Sequence, residues 1–355
     1  MVKIMDIRRC KQYQKELVAI CNENLPFEKL QNSKILVTGA TGLIGSYLVD
    51  LLLELNQQKK LDIQVFALCR NLEISKSLFE VYLQREDFTI MEGDVMEPLH
   101  TNCSFTYIIH AAGNNHPLAF STQPVETIKA SVIGTMNLLE HCISQKEPVE
   151  RFLFLSTGEV YGEQMQLLEH GCDENQPGMV NSMNPRSCYP EGKRAAESLC
   201  VAYGTQYKIP TTVARLSYIF GPTMQKTSSK ADIQFLQKAI HKEDILLKSS
   251  GTQYRSYMYL ADAAIAIVYI LLKGQDNQAY NVADKHGNIT IRNFAEMVAK
   301  QAGVHVQFEN PSDIEQAGYS KMNREILIPD KLYELGYSGR VSLEEGIQRI
   351  LEMLS

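Results

Sequence analysis

The eight residues from Thr38 to Gly45, TGATGLIG, constrain this chain more than any other feature. They stand between an apolar run, Lys34 to Val37, and a helix-forming run from Ser46 to Leu55. A strand turning through TG-xx-G-xx-G into a helix has the shape of a dinucleotide cradle. Gly39 permits the tight turn, Gly42 lets backbone amides approach a pyrophosphate, and Gly45 lets helix and strand pack. The helix start adds unpaired N–H groups and a partial positive charge. Thr41, Leu43 and Ile44 complete the binding set. Glycine also occurs in turns for conformational reasons alone, so the flanking strand and helix carry the inference.

The alternation continues downstream. Strand-like runs recur at Ile63 to Cys69, Phe88 to Met91, Tyr107 to His110, Arg151 to Leu155 and Thr211 to Leu216. Helical stretches such as Val125 to Ser144 and Gly192 to Tyr203 lie between them. Strands joined by crossover helices predict an α/β fold, a Rossmann-type doubly wound parallel sheet. After Phe220-Gly221-Pro222 the pattern turns mostly helical, with short strand-like pieces near Ala279 to Val282 and His305 to Phe308. The expected division is an N-terminal helical extension (1–32), a dinucleotide-binding domain (33–222) and a partly interleaved substrate lobe (223–355).

The end of the second strand bears on the cofactor. An NAD enzyme commonly places a carboxylate there for the ribose hydroxyls. Here the run VFALCRN puts Cys69 at that point, followed by Arg70. A cation suits a 2′-phosphate, so NADP(H) is favoured over NAD(H), although Arg70 also reads as a solvated loop residue. Asp94 and Val95 follow the third strand, with Asp94 suited to accept from an adenine amino group. Ala111, Ala112 and Gly113 follow the fourth, small enough to pass close to a cofactor.

Tyr189 and Lys193 are four apart at a helix start, hence on one face. Pro190 between them is tolerated only in the first turn. A phenol is a poor acid–base catalyst at neutral pH unless a neighbouring cation stabilises its phenolate. Thr157, near the end of the fifth strand, can orient a reacting oxygen. YxxxK arises often by chance; in order behind the glycine turn and Ser156-Thr157 it is a specific signal.

Together these strings resemble the extended short-chain dehydrogenase/reductases over nearly residues 33–350, and within them the NAD-dependent epimerase/dehydratase family that modifies nucleotide-linked sugars. STGEVYG (156–162) and NPRSCYPEGKRAAE (184–197) look most like the UDP-glucuronate decarboxylase branch. The resemblance implies catalytic roles for Thr157, Glu159, Tyr189 and Lys193. It implies substrate contacts for Arg186, Tyr218, Arg255 and Arg324, Arg255 gripping a diphosphate, unless Arg255 pairs with a structural carboxylate such as Asp262. It also implies a homodimer built on the helices at Val125 to Ser144 and Gly192 to Tyr203. Gly158 departs from the pattern, standing where dehydratases carry aspartate and decarboxylases serine. Tyr218 replaces an asparagine.

Composition narrows the partners. A formal charge of -6 and a pI near 5.8 give no global attraction for nucleic acid or an anionic membrane. The ten apolar residues from Ala263 to Leu272 are too few to span a bilayer and read as a buried helix. The charged first 30 residues lack a signal-peptide pattern, so a cytoplasmic protein is expected. Eight scattered cysteines without a CxxC pair, and histidines without ligand spacing, predict reduced thiols and no metal. The expected activity is hydride transfer at a carbinol or ketone carbon of a nucleotide-linked sugar, with net NADPH-dependent reduction favoured. A decarboxylase or epimerase with retained NAD is the alternative, and a non-catalytic dinucleotide sensor a more distant one.

Overall fold

Lys34–Thr38 (β1) has an apolar middle, Ile35 to Val37, and is buried from Ile35 onward, as an interior strand of a parallel sheet must be. In the computed structural model, which describes residues 6–225, 228–313, 316, 319–320 and 322–354, it lies in the interior of a seven-stranded sheet. The other strands are Gln64–Cys69 (β2), Phe88–Glu92 (β3), Tyr107–His110 (β4), Arg151–Thr157 (β5), Thr211–Leu216 (β6) and Gln278–Val282, called β10 because three short strands precede it. Those three are Tyr218–Phe220 (β7), Ile245–Leu247 (β8) and Tyr254–Tyr259 (β9). The order β10-β6-β5-β4-β1-β2-β3 is parallel throughout and reverses direction between β1 and β4. Ligands of such sheets bind outside the carboxyl ends of the strands at that switch point.

The strand expected near Ala279 to Val282 thus belongs to the main sheet, where it pairs with β6 from Gln278↔Thr212 to Val282↔Leu216. Sequence spacing hides this, because the chain leaves the sheet after β6, builds part of the lobe, returns for β10 and then completes the lobe. The lobe's own sheet joins Asn288–Thr290, β9 and Arg324–Glu325, with β7 pairing β9 from the sheet side. Residues 260–272, the apolar run, form a helix buried along its length. No helix among the described residues is long and apolar enough to cross a membrane.

The N-terminal extension is fastened by buried polar contacts. Arg8 Nε and the Tyr13 hydroxyl both donate to Asp50, while Tyr47, Tyr259 and Arg349 all donate to Glu16. The helices Pro124–Ser144 and Cys188–Tyr207 pack side by side on the sheet. They leave Val125, Ile128, Met136, Ile143 and Val201 exposed, on the face expected to pair subunits.

Candidate active site

A cavity of about 430 Å³ opens where the ends of β1, β4, β5 and β6 meet the lobe. Its floor is the glycine turn. Gly39 has φ +62°, and a Cβ there would lie 2.7 Å from the Ala112 backbone. At Gly45 a Cβ would stand 2.3 Å from the Gly39 carbonyl oxygen, so both positions admit only glycine. Gly42 caps the helix Leu43–Lys59 without any side-chain hydrogen bond, leaving the first-turn N–H groups to a ligand. Leu43, Ile44 and Gly45 line the cavity beside them. This cradle fits a dinucleotide pyrophosphate. Gln225 and Thr223 reach over it to the Thr41 and Leu43 carbonyls at 3.0 and 2.7 Å, tying the start of the lobe to the turn.

Thr38 Oγ1 meets His110 Nδ1 at 2.8 Å and accepts from the Ala112 N–H at 3.1 Å, fixing the two strand ends at the switch point. Burial, with Lys193 nearby, holds His110 down to about 3, so its ring is neutral. Ala111 and Gly113 line the cavity. Arg70, Asp94 and Val95 sit beyond its edge, at the ends of β2 and β3. Arg70 is exposed, Asp94 accepts from the Met96 N–H at 3.0 Å, and Val95 packs beneath Gly134.

The residues expected to react line the same cavity. β5 runs on through Ser156 and Thr157, two residues further than expected, and strand alternation turns the two side chains apart. Ser156 donates to Glu197 at 2.5 Å, while the Thr157 side chain faces Tyr189; both residues line the cavity. Tyr189 lies in the first turn of its helix, its ring stacked on Phe120 at 4.4 Å and 13°. Burial raises the phenol's pKa, Glu159 raises it further, and a Thr157 hydrogen bond and Arg186 pull it back. Lys193, one turn on, donates to the Leu155 carbonyl at 2.8 Å and sits 4.5 Å over the Phe154 ring. Burial lowers the Lys193 ammonium to about 8, with Glu197 opposing, so at neutral pH it stays charged. A charged lysine one helical turn from a buried phenol is the arrangement that makes a tyrosine a proton carrier.

Glu159 and Arg186 form a bidentate ion pair, at 2.7 and 3.2 Å, on the wall beside Tyr189. The pair also faces a second cavity of about 330 Å³. Arg255 is 3% exposed and pairs with Glu325 Oε1 at 3.4 Å. Glu325 also accepts from the Tyr218 hydroxyl at 2.6 Å and from Ser320. The structural carboxylate weighed for Arg255 therefore exists, but it is Glu325. Asp262 instead takes the Arg340 and Val341 N–H groups, because its helix points it toward the C-terminal segment. Arg324 is not brought to the cavity. Neighbouring residues of a strand face opposite ways, so while Glu325 turns inward Arg324 lies over the Tyr254 ring and donates to the Glu169 carbonyl.

Glu325 and Leu327 are the site residues that sequence reasoning missed. Their one local signal was adjacency to Arg324. Leu327 explains the departure at Gly158, where a Cβ would meet its Cδ2 at 3.0 Å. The leucine crowds the space that an aspartate or serine would enter.

Comparison with known proteins agrees with this geometry. The model of the NAD dependent epimerase/dehydratase family matches residues 35–283. UDP-glucuronic acid decarboxylase 3 of Arabidopsis thaliana is 32% identical over 316 residues, covering 89% of this chain and 87% of that protein. Among solved structures, UDP-glucose 4-epimerase of Thermotoga maritima with UDP-glucose superposes with a TM-score of 0.76 at 23% identity, covering 90% of this chain and 98% of that one. UDP-glucuronic acid 4-epimerase of Bacillus cereus, in complex with UDP-glucuronic acid and NAD, gives 0.75 at 22% identity with the same coverage.

Proposed function

Because the chain belongs to the NAD-dependent epimerase/dehydratase family, we propose that it transforms a nucleotide-linked sugar acid by internal redox on retained NAD, ending in decarboxylation. The observation that carries the reading is one wall of one cavity: Thr157, Tyr189 and Lys193 beside the Glu159–Arg186 pair. The similarity to a UDP-glucuronic acid decarboxylase over most of both chains supports it. It displaces the net NADPH-dependent reduction that Arg70 and Gly158 favoured.

The glycine turn from Gly39 to Gly45 would hold NAD, which would supply a reversible hydride acceptor at the carbinol carbon. Thr157 holds the reacting oxygen, and Tyr189 removes its proton while the Lys193 ammonium stabilises the phenolate. The resulting ketone lies one carbon from the carbon bearing the carboxylate. The bond to the carboxylate then breaks, carbon dioxide leaves, and its electron pair flows into the ketone. The resulting enolate takes a proton from water at the carbon that carried the carboxylate, restoring the ketone for re-reduction. Tyr189, now carrying a proton, donates a hydrogen bond to the oxygen where charge develops. Glu159 and Arg186 add a second charged influence beside Lys193, since both act on the Tyr189 phenol.

A second reading, net reduction of a keto sugar by NADPH, has one observation in its favour. Leu327 crowds the space above Gly158, where an acid or a hydroxyl would have to push the leucine aside, while exposed Arg70 stands at the end of β2. Titration with NADH and NADPH separates the two. The proposal expects co-purifying NAD, and Arg70→Ala to change the affinity ratio by less than about threefold. A preference for NADPH of ~10- to 150-fold that Arg70→Ala erases would favour the reductase.

A further inference from the structure

The cavity has two ends with different chemistry. Thr157, Tyr189 and Lys193 mark the reaction point at the sheet end, beside the glycine turn. The lobe end is walled by Phe235, Leu247 and Ile291, apolar surfaces suited to a flat ring. Into this apolar end the fold sets two unsatisfied acceptors.

Asp232, in the first turn of the helix Ala231–Ile240, is 4% exposed and lines the cavity. Its Oδ2 is buried with no hydrogen-bond partner. Gln253, just before β9, lines the same end, and its Oε1 is likewise buried and unpartnered. Burial pushes the Asp232 carboxyl up, Lys230 and backbone N–H groups opposing. A buried acceptor without a donor costs stability, so two at one end of a substrate cavity call for a ligand that supplies N–H groups.

The reacting sugar occupies the sheet end, so the lobe end receives the nucleoside; this step rests on the nucleotide-linked reading above. We infer that Asp232 and Gln253 select a substrate whose nucleobase carries an exocyclic amino group, as cytosine, guanine and adenine do. Uracil offers one N–H flanked by two carbonyl oxygens; the Gln253 amide can turn its own N–H toward one of them, but the Asp232 carboxylate would repel the other. An amino group offers two hydrogens and no such conflict. A site built around hydrogen bonds discriminates strongly against the analogue that lacks the matching group. The base would then differ from the uracil in the names of the relatives.

Isothermal titration of the full-length protein with CDP, GDP, ADP and UDP tests this. At least one amino-bearing nucleotide should bind ~10-fold or more tighter than UDP. Asp232→Leu should close that gap, and Asp232→Asn, whose amide can donate to a uracil carbonyl, should move preference toward UDP. UDP binding as tightly as the others, or a gap that survives Asp232→Leu, overturns the assignment of the base. If none of the four diphosphates binds, the nucleotide-sugar reading fails with it.

Discussion

Tyr189→Phe should leave the protein folded and able to bind dinucleotide while turnover falls ~10²-fold or more. The substituted ring keeps its stack on Phe120, so packing is preserved and only the exchangeable proton is lost. The partner of that proton is visible in the wild-type pH profile. Burial brings Lys193 down to about 8, so the rate should fall as pH rises past about 8 and the ammonium is lost. The sign follows from need: the charged lysine is the form that stabilises phenolate. Steady-state rates from pH 6 to 10, with cofactor affinity by fluorescence, check both parts. Near-normal turnover in the phenylalanine variant would remove Tyr189 from the chemistry.

The second large effect is expected at Arg255. Arg255→Ala strips the ion-pair partner from Glu325, itself only 4% exposed, and should cost about 3–5 kcal/mol of stability. Combining Arg255→Met with Glu325→Gln removes both charges and should recover most of that loss, which urea unfolding of the single and double variants would measure. The recovered double variant then isolates ligand binding. If the guanidinium also grips a diphosphate, nucleoside diphosphate affinity should remain down ~10-fold or more. Unchanged affinity would leave Arg255 a structural cation held by Glu325.

Which parts of this site a reader of the sequence can find depends on how local their signals are. The glycine turn, Thr157, and Tyr189 with Lys193 lie in short strings whose spacing encodes their geometry, and the strand–turn–helix order encodes the sheet. Glu325, Leu327 and Asp232 come from distant stretches and act only where the fold brings them together. Nothing in REILIP says that Glu325 will meet Arg255 across two paired strands, or that Leu327 will crowd the space above Gly158. Gln278–Val282 is hidden for a similar reason: its pairing with β6 is set by the lobe that intervenes, and its five residues carry no partner's address. Arg324 shows the reverse failure, since its position in the sequence looked right and strand alternation turned it away from the cavity.

Internal redox with loss of carbon dioxide is tested most directly by the stoichiometry of one reaction. The purified protein, supplied with no reducing cofactor, would be given UDP-glucuronate, or the same uronate on whichever base it binds best. Released carbon dioxide and the bound dinucleotide would be counted before and after many turnovers. The account predicts one carbon dioxide per sugar converted, with NAD still bound and no net change in its redox state. Absence of carbon dioxide from a uronate that the protein binds, or a single turnover that leaves the bound NAD reduced, would contradict it.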